Sequence, residues 1–299
     1  VPFKPRLWLK RISWLAFFCW IVLAIWMRLQ QEDACAQNAN FQIVLTGILP
    51  SIINESSGLI RFTDSTFLTH NDDNDSNLYE ISTTGKLINT FPLKGVQTTD
   101  WESITSDSAH IYLGDFGNNL NKRKSLRIYI ISKATMNVID TIQYRYADQL
   151  HFPPLLPSEM NFDVEAMVAY NDSLYLFSKN RTATSYSNVY VVPAKAGFFV
   201  ANKVATIHLN GQVTDAALSA DTKRLALLTY GKLYFVKWPL LAGKANTEAC
   251  INLYQGRQSE GIVFTQSYTL YFTNEQRGIY RINPKMSQHC KIGKDLIMK

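Results

Sequence analysis

One short pattern recurs five times in this chain, and no other feature restricts its fold as much. It reads "SSGLI" from Ser56, "WESIT" from Trp101, "VEAMV" from Val164, "TDAAL" from Thr214 and "SEGIV" from Ser259. The second residue is polar each time: Ser57, Glu102, Glu165, Asp215 and Glu260. A small residue follows (Gly58, Ser103, Ala166, Ala216, Gly261), and then mostly apolar ones. Thirteen to fifteen residues beyond the second residue, a further apolar run ends at Asn71, Asp115, Lys179, Tyr230 or Glu275. The units start 45 to 63 residues apart, which is the length of a four-stranded propeller blade. Short β-branched and aromatic runs such as "SLYLFSKN" and "KLYFVKWP" fill the intervals, with turn residues between them and no long helical period.

The chain therefore reads as an all-β propeller of five four-stranded blades, with the first strand of each blade at the axis. Small residues after the marked position suit that innermost strand, where blades crowd together. The longer interval from Trp101 to Val164 leaves room for a sixth blade, although "HFPPLLPSE" (His151–Glu159) within it reads as a proline-rich loop. "FQIVLTGIL" (Phe41–Leu49) precedes the first inner strand. It is expected to supply the outer strand of the last blade, which closes the ring and removes free sheet edges.

Four cations precede the apolar run Ile12–Met27, and "ACAQ" follows with small residues at Ala34 and Ala36. Residues 1–36 are thus expected to be a signal peptide cut before Gln37, or else a retained N-terminal membrane anchor. Either reading makes 37–299 a single extracytoplasmic domain, secreted, periplasmic or held at the cell envelope. Cys250 and Cys290 are the two cysteines outside this leader. In an oxidising compartment they could form a disulfide; the alternative is a pair of buried thiols. The formal charge of +6 is partly carried by the leader. No basic tract with interleaved aromatics points to nucleic acid, and the sequence identifies no oligomer.

If the inner strands run parallel to one axis, Glu102, Glu165, Asp215 and Glu260 converge at one mouth, with Asp115 and Glu275 near them. Carboxylates that close repel one another and need compensation. Ca²⁺, with its six to eight oxygen ligands, would provide it, and so would ion pairs from Lys179, Arg181 or Arg123. The acids can equally be packing groups that accept backbone N–H bonds from neighbouring blades. Asn71, Lys179, Arg181, Tyr230 and Arg123 are candidate ligand-binding residues for a small anion. The loop "GDFGNNLNKR" (Gly114–Arg123) could present N–H groups to one. "NDDNDSN" (Asn71–Asn77) resembles a calcium loop but has Leu78 where an EF-hand requires Gly. His70 is a weak candidate base at the mouth. The chain lacks G-x-S-x-G, H-E-x-x-H and G-x-x-x-x-G-K-[ST], and no catalytic residue can be assigned.

The stretches "ESSGL", "HNDDNDSNLYEIS", "DWESI", "GDFGNN", "DVEAMV", "LYLFSKNR", "TDAALS" and "SEGIVF" span roughly residues 50–283. At these residues the chain resembles secreted bacterial β-propellers of the SdiA-regulated family and, more loosely, phytase-like and esterase-like proteins. The phytase resemblance implies Ca²⁺ held by Glu102, Asp115, Glu165, Asp215, Glu260 and Glu275. It also implies phosphate held by Lys179, Arg181 and Tyr230, with metal-dependent phosphoester or ester hydrolysis. The phytase motifs do not match residue by residue, so this carry-over is by residue type and location. The other expectation is a non-catalytic interaction module at the cell surface whose acid ring is structural.

Overall fold

A computed structural model describes residues 41–284, except 73–74, 182–185, 241–242, 254–257 and 266–268. The expected leader and Cys290 lie outside the described residues. Strand β1 (Phe41–Ile48) comes first. Blade one is β2 (Ser56–Arg61), β3 (Thr66–Asn71), β4 (Asn77–Ser82) and β5 (Leu87–Pro92). Blade two is β6 (Trp101–Ser106), β7 (His110–Asp115), β8 (Leu126–Ser132) and β9 (Val138–Tyr146). Blade three is β10 (Val164–Tyr170), β11 (Ser173–Ser178), β12 (Tyr186–Pro193) and β13 (Gly197–His208). Blade four holds β14 (Val213–Leu218), β15 (Arg224–Thr229), β16 (Lys232–Lys237) and, after the short β17 (Gly243–Asn246), β18 (Ala249–Asn252). Blade five is β19 (Ser259–Phe264), β20 (Leu270–Asn274) and β21 (Gly278–Pro284), completed by β1.

Among the described residues there are five blades, each an antiparallel meander. Their inner strands neighbour one another in the closed order β2, β6, β10, β14, β19 and back to β2. This is a β-propeller, and β1 closes it by pairing antiparallel with β21, Phe41 opposite Pro284. Joining the first strand to the last blade ties the two ends of the ring by main-chain hydrogen bonds. Outer edges are also covered: β13 pairs in parallel with β9, Gly197 opposite Ile142, and with β17, Ala205 opposite Gly243.

The core lies between blade faces. One cluster joins blades two and three through Phe116, Ile128, Tyr144, Met167, Leu176 and Tyr190. Another joins blades four and five through Leu228, Phe235, Ile262 and Phe272. Small residues at the axis are required by contact distance. Gly58 has φ +81°, and a Cβ there would lie 3.0 Å from the Ile104 nitrogen of the next blade.

Every blade carries a β-bulge at the same place. The pairings are Ser56–Asn71, Trp101–Asp115, Val164–Ser178, Val213–Thr229 and Ser259–Asn274, and each is followed by a register shift. The extra residues are Ser57 with Gly58, Glu102, Glu165, Thr214 and Glu260. A bulged residue has no ladder partner and is re-aimed by the local twist. All five inner strands begin at the same end of the axis, so the five bulges ring one mouth.

Candidate functional site: an acidic mouth

The bulges open onto a cavity of about 180 Å³. Its carboxylates are Glu55, Asp72, Asp100, Glu102, Glu165, Glu260 and Glu275, and its cations are Lys179 and Arg181; Ser57, Asn119 and Tyr230 complete it. Three positions of the repeat feed it. The bulge gives Ser57, Glu102, Glu165 and Glu260. The residue before each inner strand gives Glu55 and Asp100. The residue after each second strand gives Asp72, Lys179, Tyr230 and Glu275. The opposite mouth holds a cavity of about 280 Å³, lined by apolar residues such as Leu59, Val168, Ala217 and Phe264 together with Arg61, Asp107 and Lys133.

Both cations are committed to acids. Lys179 Nζ lies 3.0 Å from Glu165 Oε2 and 5.0 Å from the Tyr230 ring centroid. Burial opposes the Lys179 charge, but Glu165, Tyr230 and Glu260 outweigh it and raise its pKa. Arg181 donates through Nε to Asp163 Oδ2 at 2.5 Å and through a terminal nitrogen to Glu165 Oε1 at 2.9 Å. It also donates to Asn119 Oδ1. Tyr230 donates its hydroxyl to Glu260 Oε1 at 3.0 Å.

The remaining acids are short of positive charge. Burial, with Glu165, Asp100 and Asp163 nearby, pushes Glu102 well above the usual carboxyl range. Burial lifts Glu260 to about 8, against the opposing pull of Lys179. Asp100 is raised by burial and by Glu165, and Glu275 by burial. Asp100 and Glu102 also share a wall: a methyl group at Gly117 would collide with the Asp100 carboxyl and with Glu102 Oε1. Glycine is needed there so that two acids can close on the backbone.

Several residues expected at the mouth sit elsewhere, for one reason. In blade four the bulge is Thr214, so Asp215 falls one residue further along, in the ladder opposite Leu228. A one-residue step reverses a strand side chain. Asp215 therefore points between blades, accepting from Ile262 N at 2.7 Å and from Ser103 Oγ at 3.5 Å. Backbone bonds from Ala216 and Leu59 also reach it, yet burial holds its pKa well up. Likewise Asn71 and Asp115 are the paired residues that end β3 and β7, whereas Lys179, Tyr230 and Glu275 stand one position later. The matching residue in blade one is Asp72, which sequence alignment missed. In blade two it is Phe116, which packs in the core.

Asp115 is fully buried between Arg123 at 3.0 Å and Arg127 at 3.4 Å. Arg123 also donates to the Gly117 and Asp115 carbonyls, so it clamps its own loop. The Gly114–Arg123 loop spends donors on neighbouring segments: Gly117 N goes to Asp100 O, and Asn118 N to Asp163 Oδ1. His70 is fully buried against Trp101, its Nδ1 beside Asn71 O, and burial lowers its pKa to about 4. It does not line the cavity. Asp75 accepts from Asn71, Asn77 and Tyr79; Asp73 of the calcium-like loop lies outside the described residues. Cys250 is disulfide-bonded.

Glu55, Asp72 and Asp100 were missed by sequence reading, and the first and third had a usable signal. The residue before the repeat reads Glu55, Asp100, Asp163, Val213 and Gln258, polar in four of the five units and two positions ahead of the ring recognised.

No protein-family model matches the sequence, and no curated protein does. Three solved structures illustrate its likeness to known chains. A chain of a mitotic checkpoint complex structure is 12% identical over 76% of this chain and 61% of its own length, with TM-score 0.40. The RRP9 WD40 repeats are 9% identical over 82% and 98%, with TM-score 0.41. A chain of Kuenenia stuttgartiensis hydrazine synthase is 11% identical over 74% and 56%, with TM-score 0.40. The propeller assignment rests on this chain's own strand order and ring closure.

Proposed function

We propose that the acidic mouth is a cation-binding site and that Ca²⁺ is the cation it takes. One observation carries this reading: Asp100, Glu102, Glu260 and Glu275 meet in a cavity whose Lys179 and Arg181 are both held by other acids. Buried like charges raise one another's pKa and favour any cation that can replace their protons. The donors are carboxylate, amide, phenol and hydroxyl oxygens, with no Cys or His among the lining residues, which suits a hard cation. Among the described residues no group of three acids, His or Cys is already disposed as a finished metal cage. Occupancy would therefore draw the acids inward. The resemblance to SdiA-regulated and phytase-like propellers is consistent with this reading. The apolar run Ile12–Met27 and the Cys250 disulfide support an extracytoplasmic location.

Hydrolysis of a small phosphoester or ester is the second reading, favoured by Lys179, Arg181 and Tyr230 in the same cavity. It ranks below binding because both cations are already paired. A purely structural role is favoured for Asp215, which bonds across blades, and for Asp115, which is held between Arg123 and Arg127.

The test is thermal melting during a calcium titration, reversed with EGTA, on the wild type and Glu102→Gln. Calcium at 100-fold over its Kd should stabilise the protein by about 2.7 kcal/mol, and the variant should respond less. No response in the wild type would remove the cation reading. Screening phosphoesters and esters with the calcium-loaded protein tests the second reading.

A further inference from the structure

A third cavity lies beside blade three, away from the axis, and shares no lining residue with the acidic mouth. It measures about 270 Å³, just under the span of about 300–1,000 Å³ usual for drug-sized ligands. Its size suits a single ring. The wall is formed by the proline-rich segment after β9 and by residues of β12 and β13.

The floor is rigid. Tyr190 and Phe162 are buried and pack with Tyr146 at centroid distances of 4.7 and 5.2 Å. Polar groups are arranged above it. Asn161 is 4% exposed, and its Nδ2 donates to the Tyr186 hydroxyl at 2.9 Å and to the Ser158 carbonyl at 3.5 Å. The Ser158 carbonyl can only accept, so that contact places the nitrogen end of the amide. The amide oxygen of Asn161 is then buried with no hydrogen-bond partner among the described residues. An acceptor left so is costly, and a ligand hydroxyl that reaches it would recover the cost.

Asp148 lies across the same cavity, accepting from the Tyr190 hydroxyl at 3.2 Å, with Lys203 Nζ at 3.7 Å. Glu159 adds a second carboxylate. Two acids and one ammonium repel an anion. Acceptors and a donor placed together over aromatic rings match a molecule whose every polar group both donates and accepts. A neutral sugar ring has that chemistry.

We propose that this cavity is a binding site for one neutral sugar residue, with Asn161 and Asp148 accepting from its hydroxyls and Lys203 donating. The assignment is independent of the cation reading at the axis.

Saturation-transfer NMR on the full chain with glucose, galactose, mannose and N-acetylglucosamine, each supplied separately, tests it. At least one should show transfer with a millimolar Kd, weakened fivefold or more in Asp148→Ala and in Lys203→Ala. Both positions are exposed, so folding should survive, as melting would verify. Asn161→Leu should abolish the signal, and Glu102→Gln at the axial mouth should leave it unchanged. Absence of transfer from all four sugars with folded wild type would overturn the proposal. Transfer undiminished in both Asp148→Ala and Lys203→Ala would overturn it as well.

Discussion

Replacing Glu260 by Gln isolates the electrostatic cost of the axial mouth. Gln keeps an oxygen for the Tyr230 hydroxyl, which now donates to Glu260 Oε1 at 3.0 Å, and removes only the ionisable proton. In the fold Glu260 titrates near 8 rather than 4.5 because it is buried. Native protein therefore holds a proton that the unfolded chain has released. The associated stability is fully present below about pH 4.5, declines as pH rises and is gone above about pH 8. At 1.36 kcal/mol per pH unit the interval corresponds to a ceiling of about 5 kcal/mol. For a domain of this size that is roughly 10–20 °C of melting temperature. Melting in EGTA from pH 4.5 to 9 should show the wild type falling more steeply than Glu260→Gln, the curves converging at the acid end. Parallel curves across the window would refute the argument, because Glu260 would then be ionised in the fold at no cost.

Three further outcomes follow from the same geometry. Asp215→Ala strips the acceptor from buried inter-blade N–H groups, and should cost about 3 kcal/mol by denaturant melting, with or without calcium. Gly117→Ala drives a methyl group into the Asp100 and Glu102 carboxyls. It should lower stability by about 2 kcal/mol and blunt the calcium response, read by calorimetric titration. Lys179→Met removes the ammonium 3.0 Å from Glu165, so the fold should weaken by about 3–5 kcal/mol while calcium binds severalfold tighter. Unchanged or weaker calcium binding in that variant would contradict the charge balance described here.

The repeat alone determined the architecture. Five copies of a polar–small–apolar step, 45 to 63 residues apart, can bury their strands only by circling an axis, and Phe41–Ile48 had no partner nearer than the last blade. Glu102, Glu165, Glu260, Lys179, Tyr230 and Glu275 were legible as mouth residues for the same reason. Side-chain direction was not. It depends on where each bulge falls, and strand register changes face with every residue. Thr214 occupies the bulge that Asp215 was expected to hold, so Asp215 became a tie between blades. Asp72, not Asn71, reached the cavity. Asp115 went to Arg123 and Arg127, partners that only folding brings together. The state of the mouth is likewise a tertiary property: Glu102 and Glu260 are ordinary glutamates in the chain, and burial beside other acids raises their pKa.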